Sequence, residues 1–199
     1  AALDRSGRIA VNPDLTLRIG SSQPETQPNF YCGMKLLKER IEAKAGDYGL
    51  QVDASRPVHS LPVGERQRVE IIRALLAAKT PLMYVGGGIL LADAAAEIRE
   101  LAEHLSLPVA HTLMGKGALP DDHPLILGMT GFWGTKFIND KCKGADWILG
   151  LGTRFSEADC SSWEEKYPFR MPPTKLIHID IDPAEIGRNF PVAIGAVAD

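Results

Sequence analysis

The pattern of hydrophobic and polar positions changes near residue 79. Before it, residues 34–45 and 64–78 repeat apolar positions every three or four residues, which is typical of amphipathic helices. After it, short unbroken apolar runs alternate with helical segments. Unbroken runs indicate strands buried on both faces, and strands separated by helices indicate a parallel sheet. We therefore predict an N-terminal arm and helical linker over residues 1–78, then a doubly wound, Rossmann-like α/β domain of five or six parallel strands over residues 79–199.

The bounds of the predicted elements follow from the same pattern. Strands are predicted at 81–85, 108–113, 125–129, 147–151, 175–181 and 192–197, helices at 91–105 and 135–144, and a helical turn at 184–187. The predicted buried positions are Val69, Ile72 and Leu76 in the linker helix, Ala95, Ile98, Leu101 and Leu105 in the next helix, and Phe137, Ile138 and Cys142 in the last.

Ligands of doubly wound sheets bind outside the carboxyl ends of the strands, so we searched the residues that follow each predicted strand. The first strand runs into three glycines, 86–88. Glycines suit either a plain strand-to-helix turn or the close approach of a phosphate to backbone amides. The GxGxxG fingerprint is incomplete and no acidic residue follows the second strand, which argues against an NAD site.

The next three strands end in further candidates. Lys116 lies in a loop, 112–117, that fits either an anion site or a chain turn. Phe132 and Trp133, placed among glycines, can stack on a planar ring or pack in the core. Arg154 can bind a pyrophosphate through its bidentate guanidinium or form an ordinary salt bridge.

The fifth strand brings acidic residues to its carboxyl end. Asp180 can accept hydrogen bonds from ribose or ribityl hydroxyls. Asp182 precedes Pro183, which is typical of a helix N-cap followed by proline at the first helical position. We interpret His178 as a core histidine with satisfied hydrogen bonds. The other histidines form no catalytic pattern: His59, His104, His111 and His123.

Charge, apolar content and cysteine spacing argue against three classes of function: nucleic-acid binding, membrane spanning and metal binding by cysteines. A net charge of -3 and a pI near 6.0 argue against a nucleic-acid partner, which needs a basic surface. No apolar run is long enough for a membrane span. Cys32, Cys142 and Cys160 lack the close spacing of a metal site, and such sparse cysteines indicate reduced thiols in the cytoplasm.

Three phrases carry a family resemblance: TLMGKGALPDDHPL (112–125), LGTRF (151–155) and HIDIDPAEIGRN (178–189). Through them, residues 79–199 resemble the central domain of acetolactate synthase-like thiamine-diphosphate enzymes. The resemblance implies a six-stranded Rossmann-like domain that holds FAD in acetolactate synthases, ADP in some relatives and no nucleotide in others. It also implies a parent enzyme that decarboxylates and joins 2-oxo acids with thiamine diphosphate and Mg²⁺.

The resemblance carries the family's nucleotide contacts onto this chain. It implies Gly87 and Gly88 near the adenosine-side phosphates, Thr112 and Leu113 along the flavin or ribityl chain, Thr130, Gly131, Phe132 and Trp133 in the next loop, Gly152 and Arg154 at the pyrophosphate, Asp180 and Ile181 at the adenosine side, and Asp199 as the acid after the last strand.

Two departures from the family pattern weaken the expectation of FAD. Trp133 replaces a usual histidine, and residues 156–159 replace a more strongly charged loop. The resemblance also implies that the glutamate that activates thiamine, and the motif that binds Mg²⁺ and diphosphate, belong to two further domains. We therefore assign no catalytic or metal-binding residue and expect a catalytically incomplete chain that self-associates or uses partner chains. A nucleotide-binding module without turnover and a structural fragment are the alternatives.

Residues 40–75 present a second resemblance, to the signature-loop region of ABC transporter ATPases. Residues 61–67 fall where those ATPases have the Leu-Ser-Gly-Gly-Gln loop, but no Walker A motif precedes them and no Walker B motif follows. A linker helix leading into the thiamine-enzyme domain fits the same residues.

Overall fold

The computed structural model of the chain describes residues 62–199. Its centre is a sheet of six parallel strands in the order β3-β2-β1-β4-β5-β6. The strands are β1 Pro81–Val85, β2 Val109–His111, β3 Ile126–Met129, β4 Trp147–Leu151, β5 Lys175–Asp180 and β6 Ile194–Val197. This confirms the predicted doubly wound α/β fold. The strand order reverses between β1 and β4, which pair in register from Pro81 with Trp147 to Val85 with Leu151.

Five helices and one 3-10 turn accompany the sheet in this part of the chain. They are α1 Val63–Ala77, α2 Gly88–Leu91, α3 Ala95–Leu105, α4 Lys136–Lys143, α5 Glu157–Cys160 and the 3-10 turn Gly131–Trp133. None of the helices in residues 62–199 is both long and apolar enough to cross a membrane. The helix predicted at 34–45 lies outside the described residues.

The sheet has a hydrophobic core on each face, because successive side chains of a strand point to opposite sides. In β1, Met83 and Val85 enter the core that also contains Ile98 and Ala102 of α3. Leu82 and Tyr84 enter the opposite core, which also contains residues of α4 and α5 and three packed rings, Phe155, Phe169 and Phe190. Helices on both faces explain why the strands are continuously apolar.

Helix α1 packs on the first core and reaches the last strand of the sheet. Ala74 is buried in that core, and Ile71 and Leu75 pack against it. The side-chain amide of Gln67 donates a hydrogen bond to the carbonyl oxygen of Gly195 in β6 at 3.3 Å. The predicted buried stripe was wrong at Leu76, which is exposed.

The predicted helix 91–105 begins four residues later, as α3 from Ala95, and Leu91 instead ends the short helix α2. Asp93, with φ at 54°, lies in the left-handed region and separates α2 from α3. Aspartate tolerates this conformation better than most residues, whereas apolar periodicity does not register a break of three residues, 92–94. The predicted inner face holds, since Ile98 is buried and Ala95, Leu101 and Leu105 are partly buried.

Two smaller predictions had different outcomes. In α4, Ile138 and Cys142 are buried as predicted, but Phe137 is 61% exposed. The two buried residues are four positions apart and share one face, whereas Phe137 points about 100° away from Ile138 around the helix axis. The helical turn predicted at 184–187 is present, as a hydrogen-bonded turn over residues 183–187.

Candidate functional site

The turns after β1 and β4 are in backbone contact where the strand order reverses. The N–H of Gly86 donates to the carbonyl oxygen of Leu151 at 2.9 Å, and the N–H of Gly88 donates to that of Gly152 at 3.0 Å. A Cβ atom on Gly88 would lie 2.7 Å from the Cα of Gly152. These glycines therefore allow two backbones to meet, and the Gly88 amide already has a protein acceptor.

The loop after β2 combines buried polar groups with an exposed apolar tip. Thr112 is buried, and its hydroxyl accepts from the N–H of Gly115 at 2.9 Å. Leu113 is 50% exposed and Met114 is 70% exposed. Lys116 forms an exposed ion pair with Asp121, so its charge does not point into a site.

The loop after β3 has a fixed backbone and exposed rings. Thr130 and Gly131 are buried, and the side-chain amide of Asn139 bonds both the N–H and the carbonyl oxygen of Gly131, at 3.0 and 3.1 Å. Phe132 is 72% exposed and Trp133 is 54% exposed, with ring centroids 4.8 Å apart in an edge-to-face arrangement. The core-packing interpretation of this pair was therefore wrong.

The loop after β4 presents a cation to solvent. Arg154 is exposed, and within residues 62–199 no carboxylate forms an ion pair with it. The side-chain amide of Asn189 donates to the carbonyl oxygen of Arg154 at 3.0 Å, which fixes the backbone but not the guanidinium. Next in sequence, Phe155 turns into the core with φ at 49°.

Asp159, on α5, connects these loops, and sequence analysis missed its role. Its carboxylate accepts from the N–H of Leu113 at 3.2 Å and from the hydroxyl of Ser156. Its carbonyl oxygen accepts from the hydroxyl of Thr130 at 2.9 Å and lies 3.4 Å from that of Tyr84. In the sequence, Tyr84 could have indicated a polar residue at this place, because a tyrosine in a buried strand needs a hydrogen-bond partner for its hydroxyl.

The acidic residues after β5 mainly organise the local turn. Asp180 is buried and accepts from the N–H of Asp182 at 3.0 Å, and Asp182 accepts from the N–H of Ala184 at 2.8 Å. The capping interpretation of Asp182 is thus confirmed, although it caps a turn. Ile181 is 63% exposed, and one carboxylate oxygen of Glu185 is buried without a hydrogen-bond partner in this part of the chain.

His178 is the core histidine that the sequence predicted. One ring nitrogen lies 2.8 Å from the carbonyl oxygen of Thr153, and the other accepts from the N–H of Gly187 at 3.4 Å. These contacts fit a neutral ring with its proton on Nε2. Burial lowers the pKa of His178, which favours the same neutral state.

The buried thiols and the buried tyrosine are also uncharged at neutral pH. Burial raises the pKa of Cys142 to about 12 and also raises the pKa values of Cys160 and Tyr84. Uncharged thiols are poor nucleophiles and poor metal ligands. Within residues 62–199 no group of three or more His, Cys, Asp or Glu side chains is placed to hold a metal ion.

The predicted site residues thus fall into three groups at the carboxyl edge of the sheet. The buried members, which make hydrogen bonds within the protein, are Thr112, Thr130, Gly131 and Asp180. The exposed members, which remain able to touch a ligand, are Leu113, Phe132, Trp133, Arg154, Ile181 and Asp199. Gly87, Gly88 and Gly152 lie between them at the reversal of the strand order.

Comparison with known proteins agrees with the fold. The family described as thiamine pyrophosphate enzyme, central domain, matches residues 69–199. The chain is 42% identical over 137 residues to a probable acetolactate synthase large subunit from Methanococcus aeolicus, a match that covers 67% of this chain and 22% of the relative. It is 43% identical over 128 residues to the acetolactate synthase large subunit of Haemophilus influenzae, covering 64% and 22%.

The acetolactate synthase large subunit of Cyanidium caldarium is similar over 144 residues at 38% identity, covering 72% of this chain and 24% of that subunit. The chain therefore spans about a quarter or less of the length of these relatives. The comparisons give no support to a resemblance with ABC transporter ATPases; residues 40–61 of that stretch lie outside the described residues, and residues 63–75 lie within α1. Through residues 69–199, the chain belongs to the family of thiamine pyrophosphate enzyme central domains.

Proposed function

We propose that residues 79–199 act as the FAD- or ADP-binding central domain of an acetolactate synthase-like enzyme that uses thiamine diphosphate and Mg²⁺ on 2-oxo acids. Family membership and the names of the relatives support the type of enzyme. In such an enzyme the thiamine cofactor carries the chemistry, and this domain supplies a scaffold and a nucleotide pocket.

Arg154 carries the nucleotide part of the proposal. It is exposed at the carboxyl end of β4, beside the reversal of the strand order, where ligands of doubly wound sheets bind. Since no carboxylate in the described part of the chain neutralises it, the guanidinium is available for a pyrophosphate. Its planar fork of donors matches two phosphate oxygens at once.

The exposed apolar groups at the same edge suit the rest of a nucleotide. Phe132 and Trp133 present ring surfaces on which a planar adenine or isoalloxazine can stack. Leu113 and Ile181 add aliphatic surface from the neighbouring loops. A Cβ atom on Gly87 would lie 2.9 Å from that of Met114, so the turn after β1 and the loop after β2 approach closely at this glycine. These exposed residues support FAD or ADP as the proposed ligand.

Absorbance spectroscopy of the purified protein, with mass spectrometry of the small molecules released on denaturation, tests this proposal. We expect FAD or ADP in near-stoichiometric amount, and a flavin spectrum distinguishes the two. Arg154→Ala should weaken the affinity by about tenfold or more, because hydrogen bonds to charged groups contribute about 1.5–3 kcal/mol.

Arg170→Ala is the matched control for this test. Arg170 is also exposed, but it precedes β5 and so lies toward the amino end of the sheet. The affinity should be unchanged in that variant. A protein that binds neither FAD nor ADP, even when they are added in excess, would refute the nucleotide part of the proposal.

We further propose that the exposed apolar residues are covered by a second copy of the chain or by partner chains. Leu113, Met114, Phe132 and Trp133 lie in loops at one edge of the sheet and are each at least half exposed. Exposed apolar groups of this kind mark interaction surfaces or ligand sites. Sedimentation that depends on concentration in the wild-type protein, and not in a Phe132→Ser, Met114→Ser variant, supports association; a monomer at all concentrations argues for the ligand site alone.

A further inference from the structure

We infer that Asp159 is a positioning residue for this site: it holds the loops after β2, β3 and β4 together and thereby sets where Leu113 and the Phe132–Trp133 pair stand. The positioning role is inferred from hydrogen bonds and contacts within residues 62–199. The ligand part rests on the proposed nucleotide-binding function. Asp159 itself matches none of the nucleotide contacts that the family resemblance implies.

The carboxylate of Asp159 joins the loop after β4 to the loop after β2. One oxygen accepts the N–H of Leu113 at 3.2 Å, and the other accepts the hydroxyl of Ser156. Leu113 is separated from Asp159 by 46 positions in sequence, so this is a tertiary contact and not part of a helix or turn. The backbone of the exposed tip of the β2 loop therefore depends on one side chain of α5.

The main chain of Asp159 joins α5 to the loop after β3. Its carbonyl oxygen accepts from the hydroxyl of Thr130 at 2.9 Å. A Cβ atom on Gly131 would lie 2.3 Å from the same oxygen, so the two backbones are in direct contact. Phe132 and Trp133 follow immediately, which means that their exposed rings start from a point fixed against Asp159.

These contacts place Asp159 between two walls of the proposed pocket. The wall from the β2 loop ends in Leu113, and the wall from the β3 loop ends in Phe132 and Trp133. Asp159 contacts both walls. Removal of its carboxylate therefore releases the β2 loop at Leu113, while its carbonyl oxygen still holds the β3 loop at Thr130. A ligand that contacts both walls must then order the β2 loop as it binds. The entropy lost in ordering that loop lowers the affinity.

Hydrogen exchange of the Leu113 amide, measured by NMR in the full 199-residue chain, tests the positioning directly. In Asp159→Ala we expect the exchange to accelerate about tenfold or more, since loss of a hydrogen bond to a charged group costs about 1.5–3 kcal/mol. Asp159→Asn keeps an acceptor for Leu113 and should restore the wild-type rate to within about threefold. Asp140→Ala is the control, because Asp140 is an exposed aspartate that pairs only with Lys136 on α4 in this part of the chain.

Isothermal titration of FAD and ADP into the same proteins tests the ligand part. We expect about tenfold weaker binding in Asp159→Ala, with near-wild-type binding in Asp159→Asn and Asp140→Ala. A purely structural role would lower the melting temperature of Asp159→Ala but leave the affinity of the folded protein unchanged. Unchanged Leu113 exchange in Asp159→Ala, or faster exchange with unchanged affinity, would overturn the inference.

The failure of nucleotide binding and the failure of the positioning role can be told apart. If the wild-type chain binds neither nucleotide, the proposed function fails, and the exchange of Leu113 alone decides whether Asp159 positions the β2 loop. If Asp159→Ala does not fold, Ser156→Ala replaces it, since it removes only the second hydrogen bond to the carboxylate. We then expect a smaller acceleration, about threefold, and an unchanged rate would overturn the inference.

Discussion

The backbone N–H of Gly88 donates a hydrogen bond to the carbonyl oxygen of Gly152, so the turns that follow β1 and β4 touch at the reversal of the strand order. Neither residue has room for a side chain, since a Cβ atom on each would lie within 3 Å of the other's Cα. In a doubly wound sheet this is where a ligand crevice opens. Here the backbones of Gly88 and Gly152 meet at the floor of that crevice, and the loops after β2, β3 and β4 flank it.

Alanine at three glycines should separate steric clash from backbone strain. Gly117, with φ at 94° and nothing within 4 Å of its Cβ position, tests strain alone; Gly88 tests the clash alone; Gly152, with φ at 54°, combines both. We expect Gly117→Ala to cost about 1–2 kcal/mol, Gly88→Ala more, and Gly152→Ala the most. Urea denaturation measures the free energy of unfolding. Equal losses for Gly117→Ala and Gly152→Ala would contradict the close approach at the crevice floor.

The hydroxyls of Tyr84 and Thr130 should stabilise the protein cooperatively. They lie 2.9 Å apart, buried, next to the carbonyl oxygen of Asp159. Tyr84→Phe and Thr130→Val should each lower the free energy of unfolding by about 1–2 kcal/mol, because each leaves a buried polar group with fewer partners. The double variant should lose about 0.5–1 kcal/mol less than the two single losses combined. Strictly additive losses would show that the two hydroxyls do not act together.

His178 should make the protein less stable as the pH falls. Burial lowers its pKa in the folded state, so the unfolded chain takes up a proton first. Its contribution is therefore present above the ordinary histidine value of about 6.5 and is lost as the pH falls through the lower folded pKa. NMR of the ring nitrogens should show a neutral ring protonated on Nε2 at pH 7. A charged His178 at that pH would contradict the assignment.

Cys142 and Cys160 should resist thiol reagents until the protein unfolds. Both are fully buried, and burial raises the pKa of Cys142 to about 12. In a Cys32→Ser variant, a disulfide reagent at pH 8 should modify neither thiol in the folded protein and both in denaturant. The same shift means that stability contributed by the neutral thiol is present below the unfolded value of about 8.5 and is lost as the pH rises from there toward 12. Rapid labelling of the folded protein would contradict this burial.

The sequence predicts the fold better than it predicts the site, for physical reasons. The bounds of β1 and β4 agree with prediction because both are short apolar runs enclosed by polar residues and glycines. Such local patterns report burial on both faces. The break at Asp93 was not predictable from periodicity, because one residue in a left-handed conformation leaves the apolar spacing on both sides intact.

The residues that organise the site were missed because their partners are distant in sequence. Asp159 bonds Leu113 and Thr130, which are 46 and 29 positions away, and nothing adjacent to it indicates either contact. The exposure of Phe132 and Trp133 was open between two interpretations, since aromatic residues next to glycines occur both in cores and at ligand sites. In the structure, the side chain of Asn139 on α4 bonds both backbone groups of Gly131. The two rings that follow this fixed backbone are exposed.

The hydrogen bond from Gln67 to Gly195 connects helix α1 to β6, the strand at one end of the sheet. An uncovered outermost strand offers its backbone groups as a template for pairing with any extended chain, which is a route to aggregation. Helix α1 is held beside that strand by this hydrogen bond, and its apolar residues Ile71, Ala74 and Leu75 pack on the core of one face of the sheet. We expect a shortened chain that starts at residue 79 to keep β1 to β6 and every site residue, but to lose the cover of α1 over this core and to aggregate more readily.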